Sequence, residues 1–166
     1  MKKDAHTDLK DKVEQDYVFL RFSLTDIGQA RRSLAMIRRY RRPDVIDALV
    51  RDTVIAYSRP FMKSNGPFGI NILKCGDVVP RDQRPLHKKA ITLRNKVVAH
   101  KDLAPLNPAL SRWGQKPNHS YVIRLSTGPT TELTSLAREL PDLVDAVYDR
   151  LQGKIRSYQE AVLDRE

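Results

Sequence analysis

Residues 43–61 read PDVIDALVRDTVIAYSRPF, and both ends of a helix are written into them. Pro43 suits a first helical position, where its missing N–H has no partner to lose and its fixed φ is already helical. Ile46, Leu49, Val50, Thr53 and Tyr57 then recur at helical spacing and gather on one face until Pro60 stops the run. Such a helix must bury its stripe against other elements, so the flanking sequence decides the fold.

Upstream, Val13, Tyr17, Leu20, Leu24, Ile27 and Leu34 keep helical spacing, with Arg31 filling the vacant place. This predicts one long helix, or two collinear ones, from about Leu9 to Tyr40, with Ser23 and Asp26 marking a restart. Downstream, residues 60–85 are rich in Pro and Gly, and a connector that long is expected to be functional or mobile. Leu86, Ala90, Leu93 and Val97 define a third helix whose stripe, extended by three residues, arrives at His100.

Beyond Asp102, a Pro-containing stretch leads to Ser120–Ser126, a short strand whose simplest partner is Ile70–Leu73. Leu133, Leu136 and Leu140 open another helix, interrupted or kinked at Pro141. Leu143, Val147, Leu151, Ile155, Tyr158 and Val162 carry the final one. The expected fold is all-α: one domain over 1–166, a bundle of four or five helices with one long loop and at most a minor two-stranded element.

The 166 residues can bury a real core, and 30 Lys and Arg against 20 Asp and Glu give a net charge of +10. That balance suits a polyanionic partner such as RNA, although it also serves solubility alone. The single cysteine, Cys75, excludes an internal disulfide and a cysteine-rich zinc site, and fits a reducing compartment. The first 16 residues are too charged for a signal peptide, and no apolar run approaches the roughly 20 residues of a membrane span. A soluble, cytoplasmic protein without a membrane partner is the expectation.

Arg94, Asn95 and His100 place a permanent cation, an amide and an imidazole within two helical turns. On an ideal helix, six steps climb roughly 9 Å and leave Arg94 about 120° from His100, so their convergence needs a kink near His100 or a second protomer. A neutral imidazole could take a proton from a ribose 2′-hydroxyl, and a guanidinium could hold two oxygens of the phosphate as charge grows there. The competing readings are a half-buried core histidine at His100 and a surface cation or structural ion pair at Arg94. Asn95 either orients His100 or a phosphate, or caps and packs.

Arg31, Arg32, Arg38, Arg39, Arg41 and Arg42 form a cluster without an acidic neighbour, with pairs seven residues apart along one helix: a solvated face, or a track for phosphates. Arg59, Lys101, Arg38 and Arg39 are the candidate RNA contacts, with Tyr57 and Phe61 beside Arg59 expected in structural roles. His87 is seven residues before Arg94 and so on the same helical face; His6, His119 and Cys75 show no metal-ligand spacing with each other, and no Gly-rich phosphate loop is present, so neither a metal nor a cofactor is expected.

An Arg, a polar residue directly after it and a His beyond a short apolar stretch resemble the Arg-polar-x(3 to 5)-His signature of the HEPN superfamily. Those are small all-helical dimers, many of them metal-independent ribonucleases of toxin, abortive-infection and other defence systems. The resemblance runs from about Asp44 to Asp102, where Ala56–Phe61 ends one helix and HKKAITLRNKVVAHKD, residues 87–102, follows a loop. It implies catalytic roles for Arg94 and His100, an accompanying role for Asn95, a homodimer, and an operon-encoded antitoxin or defence partner. Toxin-type members silenced by nucleotidylation carry a Tyr two residues after the His, and Asp102 stands there instead, so the resemblance does not extend to control at that position. Two other readings stand beside the nuclease: a non-catalytic HEPN-like nucleic-acid or nucleotide-binding module, and a structural dimer whose Arg94 and His100 pin the interface.

Overall fold

Helices carry most of the chain, and they form an all-α bundle. The computed structural model describes residues 12–66, 69–95, 109–113, 120–124 and 128–163, with side chains over 12–64, 71–95 and 133–160. The helices are α1 (Lys12–Ile37), α2 (Pro43–Ser58), α3 (Cys75–Val78), α4 (Arg84–Leu93) and α5 (Gly128–Leu163). Helix α1 packs against both α2 and α5, while α4 packs against α2 and α5 from another side.

Helix α1 is continuous through Ser23 and Asp26, where the sequence suggested a restart. Its buried residues are Leu20, Ser23, Ile27, Gly28, Ala30, Ser33 and Leu34. Small residues dominate because the helix is sandwiched, and small side chains let two neighbours approach. Arg31 does not fill the stripe. Its Nε pairs with Asp145 at 2.7 Å, and its guanidinium lies 5.0 Å from the centre of the Tyr148 ring, clamping α1 to α5 from the exposed flank. Between α1 and α2, Ser33 Oγ and Gln29 Nε2 both donate to Asp52 Oδ2, at 2.5 and 3.0 Å.

Pro43 occupies the first turn of α2, and the preceding Arg42 pairs with Asp44 at Nη2–Oδ2 2.5 Å. That contact holds the exposed Asp44 carboxyl below its ordinary pKa. Because Pro60 has no N–H to continue the ladder, α2 ends at Ser58 and passes into a 3₁₀ turn over Arg59–Phe61. The long connector that follows is built rather than slack. Strands β1 (Ser64–Gly66) and β2 (Gly69–Asn71) pair antiparallel, the Leu73 N–H donates to the Pro60 carbonyl at 2.8 Å, and Leu73, Val78 and Val79 enter the core.

Strand β4 (Ser120–Arg124) pairs with β3 (Ala109–Trp113), which corrects the expected pairing with Ile70–Leu73. Closing a six-residue connection costs less chain entropy than closing one of about fifty, and β2 is already taken by β1. Nor does Pro141 divide the last helix: α5 runs unbroken from Gly128 to Leu163. A proline inside a helix costs about 3 kcal/mol. Leu136, Leu140, Leu143, Val144 and Val147, all fully buried on either side of it, offset that penalty through packing.

One continuous core joins α1, α2, α4, α5 and the connector. Among the described residues no helix is long and apolar enough to cross a membrane. Gly153, in the interior of α5, has nothing within 4 Å of where a Cβ would stand. Gly153→Ala is therefore expected to raise stability by about 0.5–1 kcal/mol, measured by urea denaturation, because it lowers the entropy of the unfolded chain without a clash.

Candidate functional site

Helix α4 opens with Pro85 in its first turn and carries His87, Ala90 and Leu93 on its buried side. The Tyr57 hydroxyl lies 2.8 Å from His87 Nδ1, and the Phe61 ring stands edge-on to the imidazole at a centroid distance of 4.5 Å. Burial pushes the Tyr57 pKa far above its ordinary value, so the phenol stays protonated. The phenol and the neutral imidazole share this hydrogen bond, in which Nδ1 accepts or donates according to the ring tautomer. This buried trio fastens the start of α4 to the end of α2.

The same burial holds the His87 pKa below its ordinary value. Folding thus favours the neutral ring: its contribution to stability is complete above the unfolded value of about 6.5 and is lost as pH falls through the lower folded value. Urea denaturation between pH 7.5 and 5 is expected to show falling stability in the wild type and a shallower decline in His87→Phe. Equal slopes would show that His87 does not titrate across folding.

At its C-terminal end α4 widens into a π turn at Arg94 and Asn95. The Arg94 N–H is shared between the carbonyls of Ala90 and Ile91. Turns of this kind often mark functional positions. Asn95 Oδ1 accepts a hydrogen bond from Arg94 Nη1 at 3.1 Å, so Asn95 positions the guanidinium. Arg94 Nε is buried without a partner, and Arg94 has no carboxylate partner among the described residues. His100 and Lys101 lie outside the described residues.

Arg94 faces a half-open groove of about 440 Å³. Its far wall is α1, through Phe19, Phe22, Ser23 and Asp26, and its near wall is the 3₁₀ turn and the two residues leading from it into β1, through Arg59, Met62 and Lys63. Arg59 Nη1 pairs with Asp26 Oδ1 at 3.3 Å, with 57% of the Arg59 side chain exposed. So open an ion pair is worth about 0–1 kcal/mol, and a phosphate can compete for the guanidinium. Among the described residues three cations, Arg59, Lys63 and Arg94, thus share one groove with a single carboxylate, Asp26.

Arg94 and Arg59, 35 positions apart in sequence, are brought to one surface because α2 and α4 pack side by side. Arg38 and Arg39 are not. Helix α1 ends at Ile37, so both sit in the turn beyond it, and the stripe expected along one helix does not form. Counted from Asp26, Arg38 lies roughly 18 Å further along α1, and it lines a separate shallow groove with Arg31, Pro141 and Asp145. The cluster also has acidic neighbours after all, since Asp145 and Asp44 take Arg31 and Arg42.

Phe22 and Lys63 were not singled out from the sequence. Phe22 carries a signal that could have found it, an aromatic off the apolar stripe of α1; Lys63 carries none. Among the described residues no group of three or more His, Cys, Asp or Glu side chains comes together. Comparison of the chain with protein-family models, with curated proteins and with solved structures finds no match.

Proposed function

We propose that this chain is an endoribonuclease of HEPN type, acting as a homodimer and cutting RNA by attack of a ribose 2′-hydroxyl on the adjacent phosphate. The observation that carries the reading is Arg94. It is a guanidinium held by Asn95 at a π turn, without a carboxylate partner among the described residues, facing a groove that already holds Arg59 and Lys63. Arg31, by contrast, is held in an ion pair with Asp145.

In the proposed reaction His100, as a neutral imidazole, accepts the 2′-hydroxyl proton. The 2′-oxygen bonds to phosphorus, the bond to the 5′-oxygen breaks, and that oxygen leaves as a 5′-hydroxyl after taking up a proton. The products are a 2′,3′-cyclic phosphate and a 5′-hydroxyl end. Arg94 holds the non-bridging oxygens as their charge grows, and Arg59 and Lys63 hold flanking phosphates. A second copy of the chain would bring a second Arg94, Asn95 and His100 to the shared cleft, and an antitoxin or defence partner is the control such an activity calls for.

The test is incubation of the purified protein with unmodified RNA in EDTA, followed by analysis of the ends. Cyclic phosphate and 5′-hydroxyl ends support the proposal. RNA that is bound with steep salt dependence yet left intact would make the chain a non-catalytic binding module instead.

A further inference from the structure

We propose that Phe22 is a base-stacking residue at the mouth of this groove, so that the site takes an unpaired nucleotide of a single RNA strand, which then crosses the outer face of α1 towards Arg21 and Arg156. The inference deepens the RNA reading of the groove and rests on it.

Phe22 is 66% exposed, more than Met36, Tyr40 or Ile72, the other large apolar side chains left in solvent among the described residues. A phenyl ring that open gains little from the bundle, yet it stands on the wall facing Arg59, Lys63 and Arg94. An aromatic face beside cations is how single-stranded nucleic acid is held: the cations follow the phosphates and a base stacks on the ring. Ser23, on the same wall, has a buried hydroxyl without a partner. A duplex would not use Phe22, because its bases are stacked on one another and present no free face.

On the other side of α1, a second groove of about 360 Å³ is lined by Arg21, Leu24, Gln152, Ile155, Arg156 and Gln159. Among the described residues it is lined by two arginines and no carboxylate, and neither arginine is ion-paired. Arg21 and Phe22 are adjacent in sequence, so they point about 100° apart around the helix. A strand leaving Phe22 need only cross the solvent face of α1, within a helix diameter of roughly 10 Å, to meet the second pair of cations. Both grooves carry cations, and the exposed aromatic lines the first beside Arg21 of the second, which fits a polyanion with a base to place between two phosphate contacts.

The experiment measures fluorescence anisotropy in EDTA with 2′-O-methyl oligonucleotides, which cannot be cut by 2′-hydroxyl attack. The probes are a single strand, the same strand with abasic positions, and a duplex, each against wild type, Phe22→Ala and Phe22→Trp. Phe22→Ala is expected to weaken single-strand binding roughly tenfold or more, Phe22→Trp to restore it, and duplex binding to stay unchanged. Abasic positions should weaken binding to the wild type but not to Phe22→Ala. Equal single-strand affinity in wild type and Phe22→Ala overturns the proposal, as does an equal loss for strand and duplex. Unchanged RNA affinity with a dissociated dimer would assign Phe22 to a contact between copies and overturn it likewise.

Cleavage of unmodified RNA, run in parallel, separates the two readings. Phe22-dependent binding without any cleavage removes the nuclease and keeps the stacking site. Cleavage with an unchanged KM in Phe22→Ala removes the stacking site and keeps the nuclease, and absence of all RNA binding removes both.

Discussion

Arg94→Ala is expected to cut RNA roughly 10² to 10³ times more slowly than the wild type in EDTA, with its melting temperature nearly unchanged. The magnitude is that of removing one preorganised donor to a developing oxyanion. The unchanged stability follows from the surroundings of Arg94: among the described residues its side chain hydrogen-bonds to the neighbouring Asn95 and its Nε lies buried without a partner, so the folded chain loses little with it. Arg94→Lys should recover only part of the rate, because an ammonium cannot hold two phosphate oxygens in a planar fork. His100→Ala should lose about 10² to 10⁴, the usual worth of a general base. Full activity in both alanine variants would remove the proposed mechanism. A large fall in melting temperature with Arg94→Ala would make the residue structural instead.

The second large effect belongs to the core. Leu140 on α5 is fully buried, one residue before Pro141, where the helix has already lost a backbone hydrogen bond. Leu140→Ala should destabilise the protein by about 2–5 kcal/mol, through lost burial and the cavity left behind. For a chain of this size that corresponds to a fall of roughly 4–20 °C in melting temperature. Differential scanning calorimetry checks it, and a change under about 1 kcal/mol would mean that packing at Leu140 does not offset the proline.

Periodicity and punctuation carried the helices. Pro43 and Pro60 bound α2 nearly to the residue, since a missing N–H and a fixed φ act locally, whatever the rest of the chain does. Pro141 deceived for the opposite reason. Its cost is local, but the burial of Leu136, Leu140, Leu143 and Val144 on several partners outweighs it, and a periodic pattern does not reveal how much packing each position receives. Strand pairing was likewise a contest between segments, decided by β1 and β2 closing on each other across two residues.

The candidate site divides in the same way. Arg94 and Asn95 were legible as a pair because a short motif on a helix fixes its own spacing, and Arg59 because it closes α2. That Arg59, Lys63 and Arg94 share one groove with Phe22, while Arg38 and Arg39 stand in the turn beyond the far end of α1, depends on how α1, α2 and α4 pack. The order of residues alone was enough for the all-α class, the run of helices and the cationic character, since each of these rests on near-neighbour geometry or on simple summation. That Arg59, Lys63 and Arg94 converge, that Arg94 has no carboxylate partner among the described residues and that His87 is buried came only with the packed bundle, because contacts between distant segments are settled by competition for the interior.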